Sequence, residues 1–270
     1  MLTCEGKIAA ITGSTGGIGL ATVKRLLEEG AIVYPIVRRV EYMEELIAGF
    51  DKSWPGKIGK VIWFDASKID TIEKAIADVY ADAGKIDIFI NNSIAAEASA
   101  GDDNTTVIGT SHETIMNMYE GIVGVSAACM RAVIPLMIKG GGGSIVNNSS
   151  LTANYADMTR TYYGMAKAAV NLLTQNTALQ YGRHGIRCNA ILPGFTVGAN
   201  TLNFLPKEFV EEWLKHAPIR RLGSPEDQAN AIVFFAGNQS EWVTGQLLEV
   251  SGGYGFGAPV FGDIVEPGNK

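Results

Sequence analysis

Cysteine, histidine and clustered positive charge are scarce in this chain of 270 residues. Its three cysteines, Cys4, Cys129 and Cys188, are widely spaced and form no CxxC pair, which argues against a disulfide framework or a zinc site and favours buried thiols. The 3 histidines are scattered, so no metal site is predicted. Lys and Arg number 22 against 28 Asp and Glu, a net charge of −6, and this balance argues against a nucleic-acid partner.

The chain also lacks a hydrophobic run approaching the roughly 20 residues that a membrane helix needs. Its N-terminus continues directly into a strand pattern without the layout of a signal peptide. No linker or internal repeat interrupts the chain, and 47% of its residues are hydrophobic. These observations predict a cytoplasmic protein with no membrane partner, folded as a single domain over residues 1–270.

Short apolar runs alternate with longer segments of helical periodicity along the chain. Seven strands are predicted, at residues 7–12, 32–37, 61–65, 86–91, 144–149, 186–192 and 247–251. Helices are predicted at residues 18–29, 42–48, 69–83, 112–139, 161–181 and 225–236. Because parallel strands need long crossover connections, this alternation predicts a doubly wound α/β fold, with a seven-stranded parallel sheet and helices on both faces.

Two longer connections follow predicted strand ends, at residues 93–111 and 194–206. Ligands of open α/β sheets bind outside the carboxyl ends of the strands, so both connections are candidates for the walls of a substrate pocket. The alternative is that they are surface loops without a ligand.

The first predicted strand leads into a glycine-rich turn, TGSTGGIG at residues 12–19, that opens directly into a helix. Glycine allows the backbone to turn sharply and to approach a pyrophosphate, while exposed N–H groups and the positive helix end offset the phosphate charge. The turn therefore predicts a dinucleotide site, with a glycine-rich turn without ligand as the alternative. The candidate cofactor-binding residues here are Gly13, Ser14, Thr15, Gly17, Ile18 and Gly19.

The spacing TGxxxGxG of this turn resembles that of the short-chain dehydrogenase/reductase family, and the resemblance extends across nearly the whole chain. It implies a Rossmann-type fold and an adenine site at Asp65 and Ala66. The segment Asn91-Asn92-Ser93-Ile94 matches half of the family's NNAG motif. Further cofactor contacts that the resemblance implies are those of Asn92, Pro193, Gly194 and Thr196, the last as a substitute for the threonine that the family has in place of Gly198.

The end of the second predicted strand, Val37-Arg38-Arg39, bears on the choice of coenzyme. A carboxylate there would bind the adenosine ribose of NAD and repel a 2′-phosphate, whereas arginine pairs with that phosphate. Arg38 and Arg39 therefore favour NADP(H) over NAD(H). The alternative is that both guanidinium groups are solvated and that NAD is held by other contacts.

Tyr163 and Lys167 lie four residues apart at the start of a predicted helix, so they share one face. A neighbouring cation favours the phenolate form of a tyrosine, which suits proton transfer. Ser150 precedes Tyr163 by 13 residues, which is the family's spacing. The resemblance implies that Tyr163 is the general acid or base, that Ser150 donates to the substrate oxygen, and that Lys167 holds the coenzyme ribose and tunes Tyr163.

One family feature is missing from the sequence. The family has a helical asparagine that supports a proton-relay water, and counting back from Ser150 reaches Gly121-Ile122-Val123 instead. Asn117 and Tyr119, about a turn earlier, are the candidate replacements. The departure motivates an alternative hypothesis, a dinucleotide-binding sensor without turnover, against which the spacing of the catalytic set argues.

Residues 193–214 form the predicted substrate-loop segment, which is rich in aromatic and aliphatic side chains. A flat apolar alcohol or ketone would gain about 25 cal/mol per Å² buried against such a wall. Ordinary core packing is the alternative. The side chains concerned are Phe195, Val197, Leu202, Phe204, Leu205, Phe209 and Trp213.

The C-terminal tail, residues 252–270, and the segment 192–227 are similar to those of bacterial bile-acid hydroxysteroid dehydrogenases of this family. The similarity implies an oxidoreductase that interconverts a secondary alcohol and a ketone on a hydroxysteroid such as a bile acid, with NADP(H) as the coenzyme that Arg38 and Arg39 favour. Family members are commonly tetramers, so the resemblance also implies a homotetramer. A reductase of another ketone, for example a 3-oxoacyl thioester, is the enzymatic alternative.

Overall fold

In a computed structural model, which describes residues 2–99, 106–198 and 205–255, one parallel sheet runs through the chain. Its strands are β1 (Ile8–Thr12), β2 (Ile32–Val37), β3 (Lys57–Ile58), β4 (Ile62–Trp63), β5 (Ile88–Asn91), β6 (Gly143–Asn148), β7 (Ile186–Pro193) and β8 (Leu247–Val250). The order across the sheet is β3-β2-β1-β5-β6-β7-β8, and β4 also pairs with β2. The winding direction reverses between β1 and β5, and α/β proteins bind ligands in the crevice at such a switch point.

Helices cover both faces of this sheet. They are α1 (Gly17–Glu28), α2 (Val40–Ala48), α3 (Ile69–Ala83), α4 (Ala96–Ser99), α5 (His112–Met118), α6 (Val125–Lys139), α7 (Thr161–Tyr181), α8 (Lys207–Lys215) and α9 (Pro225–Ala236). Short 3₁₀ turns lie at Leu151–Ala153, Gly182–His184 and Asn238–Ser240. The predicted doubly wound α/β class is confirmed.

Alternate strand residues enter two separate cores, as the period of two in a strand requires. Along β1, Ile8 and Ala10 pack in one core with α3 and α6, whereas Ala9 and Ile11 pack in the other core with α1 and α9. Burial of whole strands is typical of a parallel sheet covered on both faces. The cysteines are free and buried, as predicted, and burial raises the pKa of the Cys129 thiol to about 12.

The third predicted strand differs from the structure. Two short strands, β3 and β4, occupy its place beside β2. The carbonyl groups of Val33 and Val37 face these strands and accept hydrogen bonds from the N–H groups of Gly59 and Phe64. Pro35 lies between the two valines on the same side of β2 and has no N–H group, so the ladder breaks there.

The helix predicted at residues 112–139 contains a π-helical segment, Tyr119–Gly124, between α5 and α6. The carbonyl oxygen of Gly121 in this segment accepts the N–H of Ala95 at 2.9 Å. A Cβ at Gly121 would lie 2.6 Å from the Cβ of Ala98, so the close approach of α4 requires glycine. Helical periodicity alone does not indicate such a wider turn.

The sequence analysis found no run apolar enough for a membrane helix, and the segment His112–Lys139 differs from that expectation. By length and composition it is apolar enough to cross a membrane, with a mean hydropathy of 1.9. In the described part of the chain, Cys129, Val133 and Met137 of this run are fully enclosed in the core beside α3. Its apolar character is therefore accounted for by packing within the fold.

Candidate active site

The glycine-rich turn after β1 forms an open cradle at the start of α1. This helix begins after Gly16, which offers no side-chain cap, and its first turn carries no acidic residue. Gly13 and Gly17 have φ values of 70° and 50°, in the left-handed region. A Cβ at Gly19 would collide with the carbonyl oxygen of Gly13, whereas one at Gly17 would enter open space. Free N–H groups at a positive helix end fit the pyrophosphate of a dinucleotide.

The remaining predicted residues of the turn have different surroundings. Ser14 is fully buried, and its hydroxyl has no hydrogen-bond partner in the part of the chain that the structure describes. Thr15 is partly exposed, and Ile18 lines the central cleft described below. The hydroxyl of Ser14 is thus enclosed within the turn, and Ile18 is the side chain of this group that reaches the cleft.

Asn92 joins this turn to the neighbouring strand. Its side-chain NH₂ group donates to the carbonyl oxygens of Thr12, at 3.2 Å, and Gly13, at 3.0 Å. Its main-chain N–H donates to the hydroxyl of Thr12 at 3.0 Å. Asn92, a predicted cofactor residue, therefore holds the dinucleotide turn in shape and also lines the cleft.

Asp65 follows β4, at the predicted adenine site. Its carboxylate accepts hydrogen bonds from the hydroxyl of Ser67, at 2.7 Å, and from the N–H of Ser67, at 3.2 Å. The hydroxyl hydrogen bond, together with the nearby charges of Lys68 and Arg38, holds the pKa of this carboxyl below its usual range. Ala66 lines a neighbouring cavity of about 280 Å³ with Ser67.

The two guanidinium groups after β2 are both exposed. That of Arg39 lies 4.5 Å from the centroid of the Tyr42 ring, within the range of a cation–π contact. Arg38 is close enough to Asp65 to lower the pKa of its carboxyl. The positive charge expected from the sequence is therefore present beside the predicted adenosine site.

A cleft of about 630 Å³ lies at the carboxyl ends of β6 and β7 and at the start of α7. The predicted catalytic and cofactor residues that it brings together are Ile18, Asn92, Ser150, Tyr163, Lys167, Pro193, Gly194 and Thr196. These residues come from five separate segments of the chain, which the parallel sheet gathers at one edge.

Lys167 and Ser150 are both buried in this cleft. The Nζ atom of Lys167 donates to the main-chain oxygen of Asn148 at 2.8 Å and lies 5.7 Å from the centroid of the Tyr163 ring. The Oγ atom of Ser150 accepts hydrogen bonds from the hydroxyl of Thr152, at 2.9 Å, and from its N–H, at 3.3 Å. Because both contacts use acceptor sites of Ser150, its own hydrogen can donate into the cleft.

Tyr162 and Tyr163 make different contacts, because successive residues of a helix point about 100° apart. Its hydroxyl donates to the carbonyl oxygen of Val107 at 3.2 Å. Tyr163 lines the cleft and shares the face of Lys167. Of the two tyrosines, Tyr163 is thus the one beside the ammonium group.

Thr196 is held by a residue that the sequence analysis missed. Its hydroxyl donates to the carbonyl oxygen of Gly194 at 3.1 Å and accepts a hydrogen bond from Nε2 of Gln228 at 3.0 Å. Gln228 is fully buried in α9 and also donates to the carbonyl oxygen of Val250. A polar residue on the apolar face of a predicted helix is the signal that indicates such a role.

Neither candidate replacement for the helical asparagine lines the cleft. Asn117, in α5, lies at the same neighbouring cavity as Ala66. Tyr119 begins the π-helical segment, in which Ile122 is fully buried. The asparagine beside Lys167 is instead Asn148, at the end of β6, which the sequence analysis overlooked.

An aromatic wall, formed by Phe195, Phe209, Trp213 and Tyr254, lines one part of the cleft. The centroid of the Phe195 ring lies 5.7 Å from that of Phe209 and 5.4 Å from that of Trp213. Tyr254, from the tail, stacks on Trp213 with ring centroids 4.8 Å apart and ring planes 5° from parallel.

Some of the predicted substrate-side residues lie outside the described part of the chain. They are Leu202 and Phe204 of the predicted wall, residues 100–105 of the loop after β5, and residues 256–270 of the tail.

The chemistry that this cleft offers is proton transfer and hydrogen-bond donation by side chains. Among the described residues, the charged side chains that line it besides Lys167 are Asp157 and Arg160, both exposed. Within residues 2–99, 106–198 and 205–255, no group of three His, Cys, Asp or Glu side chains is arranged to hold a metal ion.

Known proteins resemble this chain over nearly its whole length. The family model described as enoyl-(acyl carrier protein) reductase matches residues 13–255. A 7α-hydroxysteroid dehydrogenase from Paraclostridium sordellii is 39% identical over 262 residues, which cover 97% of this chain and 96% of that protein.

Two solved structures extend the comparison to the fold. A 7α-hydroxysteroid dehydrogenase complexed with NADH and 7-oxo glycochenodeoxycholic acid has a TM-score of 0.82 and 29% identity, covering 94% of this chain and 96% of that one. An L-sorbose reductase from Gluconobacter frateurii, complexed with NADPH and L-sorbose, has a TM-score of 0.82 and 27% identity, covering 94% and 98% of the two chains.

The match to the family model spans the dinucleotide turn from Gly13 onward and all the residues that line the cleft. A nicotinamide dinucleotide is bound in both solved structures, and the residues of the turn fit such a coenzyme here. The match to a hydroxysteroid dehydrogenase covers 97% of this chain and is therefore not confined to the turn. The chain therefore belongs to the short-chain dehydrogenase/reductase family and is an oxidoreductase that acts on CH–OH groups of a small-molecule substrate with a nicotinamide dinucleotide.

Proposed function

We propose that the protein interconverts a secondary alcohol and a ketone on a hydroxysteroid such as a bile acid. The observation that carries this proposal is the aromatic wall in the same cleft as Ser150 and Tyr163. A flat apolar steroid would gain about 25 cal/mol per Å² buried against these rings, whereas the hydroxyl groups of a sugar would lose hydrogen bonds to water there. The identity to 7α-hydroxysteroid dehydrogenases supports the same substrate class.

Ser150, Tyr163 and Lys167 are the proposed catalytic residues. Tyr163 takes the proton of the alcohol in oxidation and returns it to the ketone oxygen in reduction. The ammonium of Lys167 lies 5.7 Å from the centroid of the Tyr163 ring, beside the group that transfers the proton. Ser150 donates a hydrogen bond to the substrate oxygen, where negative charge develops in the transition state. A nicotinamide dinucleotide, when bound, would supply the chemistry of hydride transfer at the carbon that bears this oxygen.

NADP(H) is the proposed coenzyme. The end of β2 carries no carboxylate that would repel a 2′-phosphate, and Val37 is buried there. Arg38 and Arg39 are exposed and can pair with the phosphate through charge-assisted hydrogen bonds. The free N–H groups at the start of α1 would hold the pyrophosphate, and Lys167 would hold the nicotinamide ribose.

The proposed assembly is a homotetramer. One face of α7 presents Met165, Leu172 and Leu179 at seven-residue intervals, with 49%, 59% and 83% of each side chain exposed. A row of exposed apolar side chains is typical of protein–protein contacts. We assign this surface, the α7 stripe, to a second copy of the chain.

A cytoplasmic location is also proposed, because free thiols such as those of the three cysteines persist in a reducing compartment.

Initial rates of nicotinamide reduction test the proposed activity, with a panel of hydroxylated bile acids and with NADP⁺ and NAD⁺ in separate assays. We expect turnover of one regioisomer with NADP⁺, lost in Tyr163→Phe. Tyr162→Phe is the matched control and should keep its activity, because the hydroxyl that it removes bonds to Val107.

The same assays identify the alternatives. Tight binding of NADPH without turnover of any steroid would contradict the steroid proposal. Turnover of a 3-oxoacyl thioester would then identify a reductase of another ketone. A protein inert toward every alcohol and ketone would be the dinucleotide-binding sensor.

A further inference from the structure

Two asparagines at the ends of neighbouring strands link the dinucleotide turn to Lys167. The NH₂ group of Asn92 faces two carbonyl oxygens, those of Thr12 and Gly13, so its Oδ1 atom must point to the other side. Asn148 donates to this Oδ1 atom at 2.8 Å. The orientation of the Asn148 amide is thereby determined as well, with its NH₂ group toward Asn92.

This orientation leaves the Oδ1 atom of Asn148 buried and, within the described residues, without a hydrogen-bond donor. A buried carbonyl oxygen in this state is unfavourable, because it has lost its hydration without gaining a hydrogen-bond donor. The main-chain oxygen of the same residue accepts the hydrogen bond from Nζ of Lys167. Asn148 therefore carries two acceptors at the cleft, one that holds the ammonium and one without a donor.

Lys167 depends on such acceptors. Its side chain is only 5% exposed, and a buried ammonium with three N–H donors requires hydrogen-bond partners. The main-chain oxygen of Asn148 is at 2.8 Å. Asn117 and Tyr119, the helical candidates for support of Lys167, do not line the cleft.

We propose that Asn148 is the positioning residue for Lys167, in place of the absent helical asparagine. Its main-chain oxygen holds the ammonium beside Tyr163, and its NH₂ group ties this contact to the dinucleotide turn through Asn92. Its Oδ1 atom accepts a hydrogen bond from a hydroxyl donor, either water or a ribose hydroxyl of the coenzyme. The inference rests on the roles proposed above for Tyr163 and Lys167.

Among the described residues, few other charged side chains line the cleft with this pair. The titratable side chains that line the cleft with Lys167 are Tyr163, Asp157, Arg160 and Tyr254. Asp157 and Arg160 are exposed, so solvent screens their charges. Among the described residues that line the cleft, Lys167 is therefore the charged side chain that is buried.

The test variant is Asn148→Val, which introduces a β-branched side chain suited to a strand and removes both polar atoms of the amide. Asn148→Ala is a second variant in case valine packs poorly. Asn171→Ala is the matched control: Asn171 is also buried, lies one turn after Lys167 on α7, and bonds to Asn154 at 3.4 Å.

We expect Asn148→Val to lower kcat for alcohol oxidation near neutral pH roughly tenfold and to move the pH profile to higher pH, since a displaced ammonium group supports proton transfer by Tyr163 less. A merely structural role would lower rates equally at every pH. An ultraviolet titration of phenolate in the coenzyme-free protein, taken as the difference from Tyr163→Phe, should shift in the same direction. Asn171→Ala should leave both profiles in place.

The dissociation constant of NADPH distinguishes the two hydroxyl donors. Weaker binding in Asn148→Val identifies the ribose, and unchanged binding identifies water. Unchanged pH profiles and phenolate titrations in both Asn148 variants would overturn the inference. If the wild-type protein turns over no steroid while the phenolate titration still shifts, the proposed substrate fails and the assignment of Asn148 stands.

Discussion

Single residues after β2 account for the expected choice of coenzyme. Arg38→Gln should raise the KM for NADP⁺ roughly 10–100-fold, because a hydrogen bond to a charged group contributes about 1.5–3 kcal/mol. The KM for NAD⁺, which has no 2′-phosphate, should stay within about threefold of the wild type. Arg39→Gln should have the smaller effect, since that guanidinium already stacks on Tyr42. Steady-state kinetics with both coenzymes measure these constants, and an equal loss with both would contradict the assignment.

Adjacent residues in the candidate site show how far a motif predicts the role of each side chain. The glycine spacing predicted the dinucleotide turn, but not that the hydroxyl of Ser14 is enclosed within it. The helical pair predicted that Tyr163 and Lys167 share a face, and the structure places both in one cleft. The contact between Lys167 and Asn148 does not follow from the motif, because it joins a helix to a strand 19 residues away in the chain.

At the scale of elements, α9 depends on a capping box at its start. The Oγ atom of Ser224 accepts the N–H of Asp227 at 3.2 Å, and the Asp227 carboxylate accepts the N–H of Ser224 at 2.8 Å. Hydrogen bonds from Arg221 to this carboxylate hold the pKa of Asp227 well below its usual range. Because the pKa is lower in the folded than in the unfolded protein, the stabilisation is present above about pH 4 and is lost as the pH falls.

We expect Asp227→Asn to lower the Tm by about 2–4 °C at pH 7, since loss of a helix cap costs about 1 kcal/mol. The difference from the wild type should shrink as the pH falls below about 4. Thermal unfolding over this pH range measures it. Glu226→Gln removes a charge from the same turn without disturbing the cap and should change the Tm less. A difference that is the same at pH 7 and at pH 3 would exclude the linkage.

The position of α8 depends on the tail through the stacked rings of Trp213 and Tyr254. Tyr254→Ala should raise the KM for the steroid roughly two- to tenfold, because an aromatic pair contributes about 0.5–1.5 kcal/mol beyond its buried area. The kcat should change little, since the ring of Tyr254 stacks on Trp213 and not on Tyr163. Tyr254→Phe keeps the stack and is the control. A loss confined to kcat would show that the stack does not position the substrate wall.

At the scale of the whole molecule, the α7 stripe is the surface that we assign to assembly. Leu172→Glu and Leu179→Glu would place charges in a buried contact and should yield species smaller than the wild-type assembly, because burial of an unpaired charge is costly. Light scattering coupled to gel filtration measures the mass. Trp63→Glu is the control, since Trp63 is half exposed in β4, near the opposite edge of the sheet. An unchanged mass in both leucine variants would reject this surface.

The predicted and observed folds agree in class and differ at interruptions within elements. The alternation of strands and helices predicted the parallel sheet, yet the third strand is divided and the longest helix contains a π-helical segment. Pro35 causes the first difference through its missing N–H group. Gly121 permits the second through its contact with Ala98. Both causes are visible in the sequence as residue types, but their partners are not.

The sequence by itself determined the order of elements, the buried faces and the glycine-rich turn, because periods of two and 3.6 residues require only local spacing. Only the tertiary structure decided which side chains meet across elements. Asn92 and Asn148 pair although they are 56 residues apart, and Tyr254 of the tail stacks on Trp213 of α8. Periodicity specifies which face of an element is buried. The residues that pack against that face depend on how distant elements come together, and these long-range contacts complete the site.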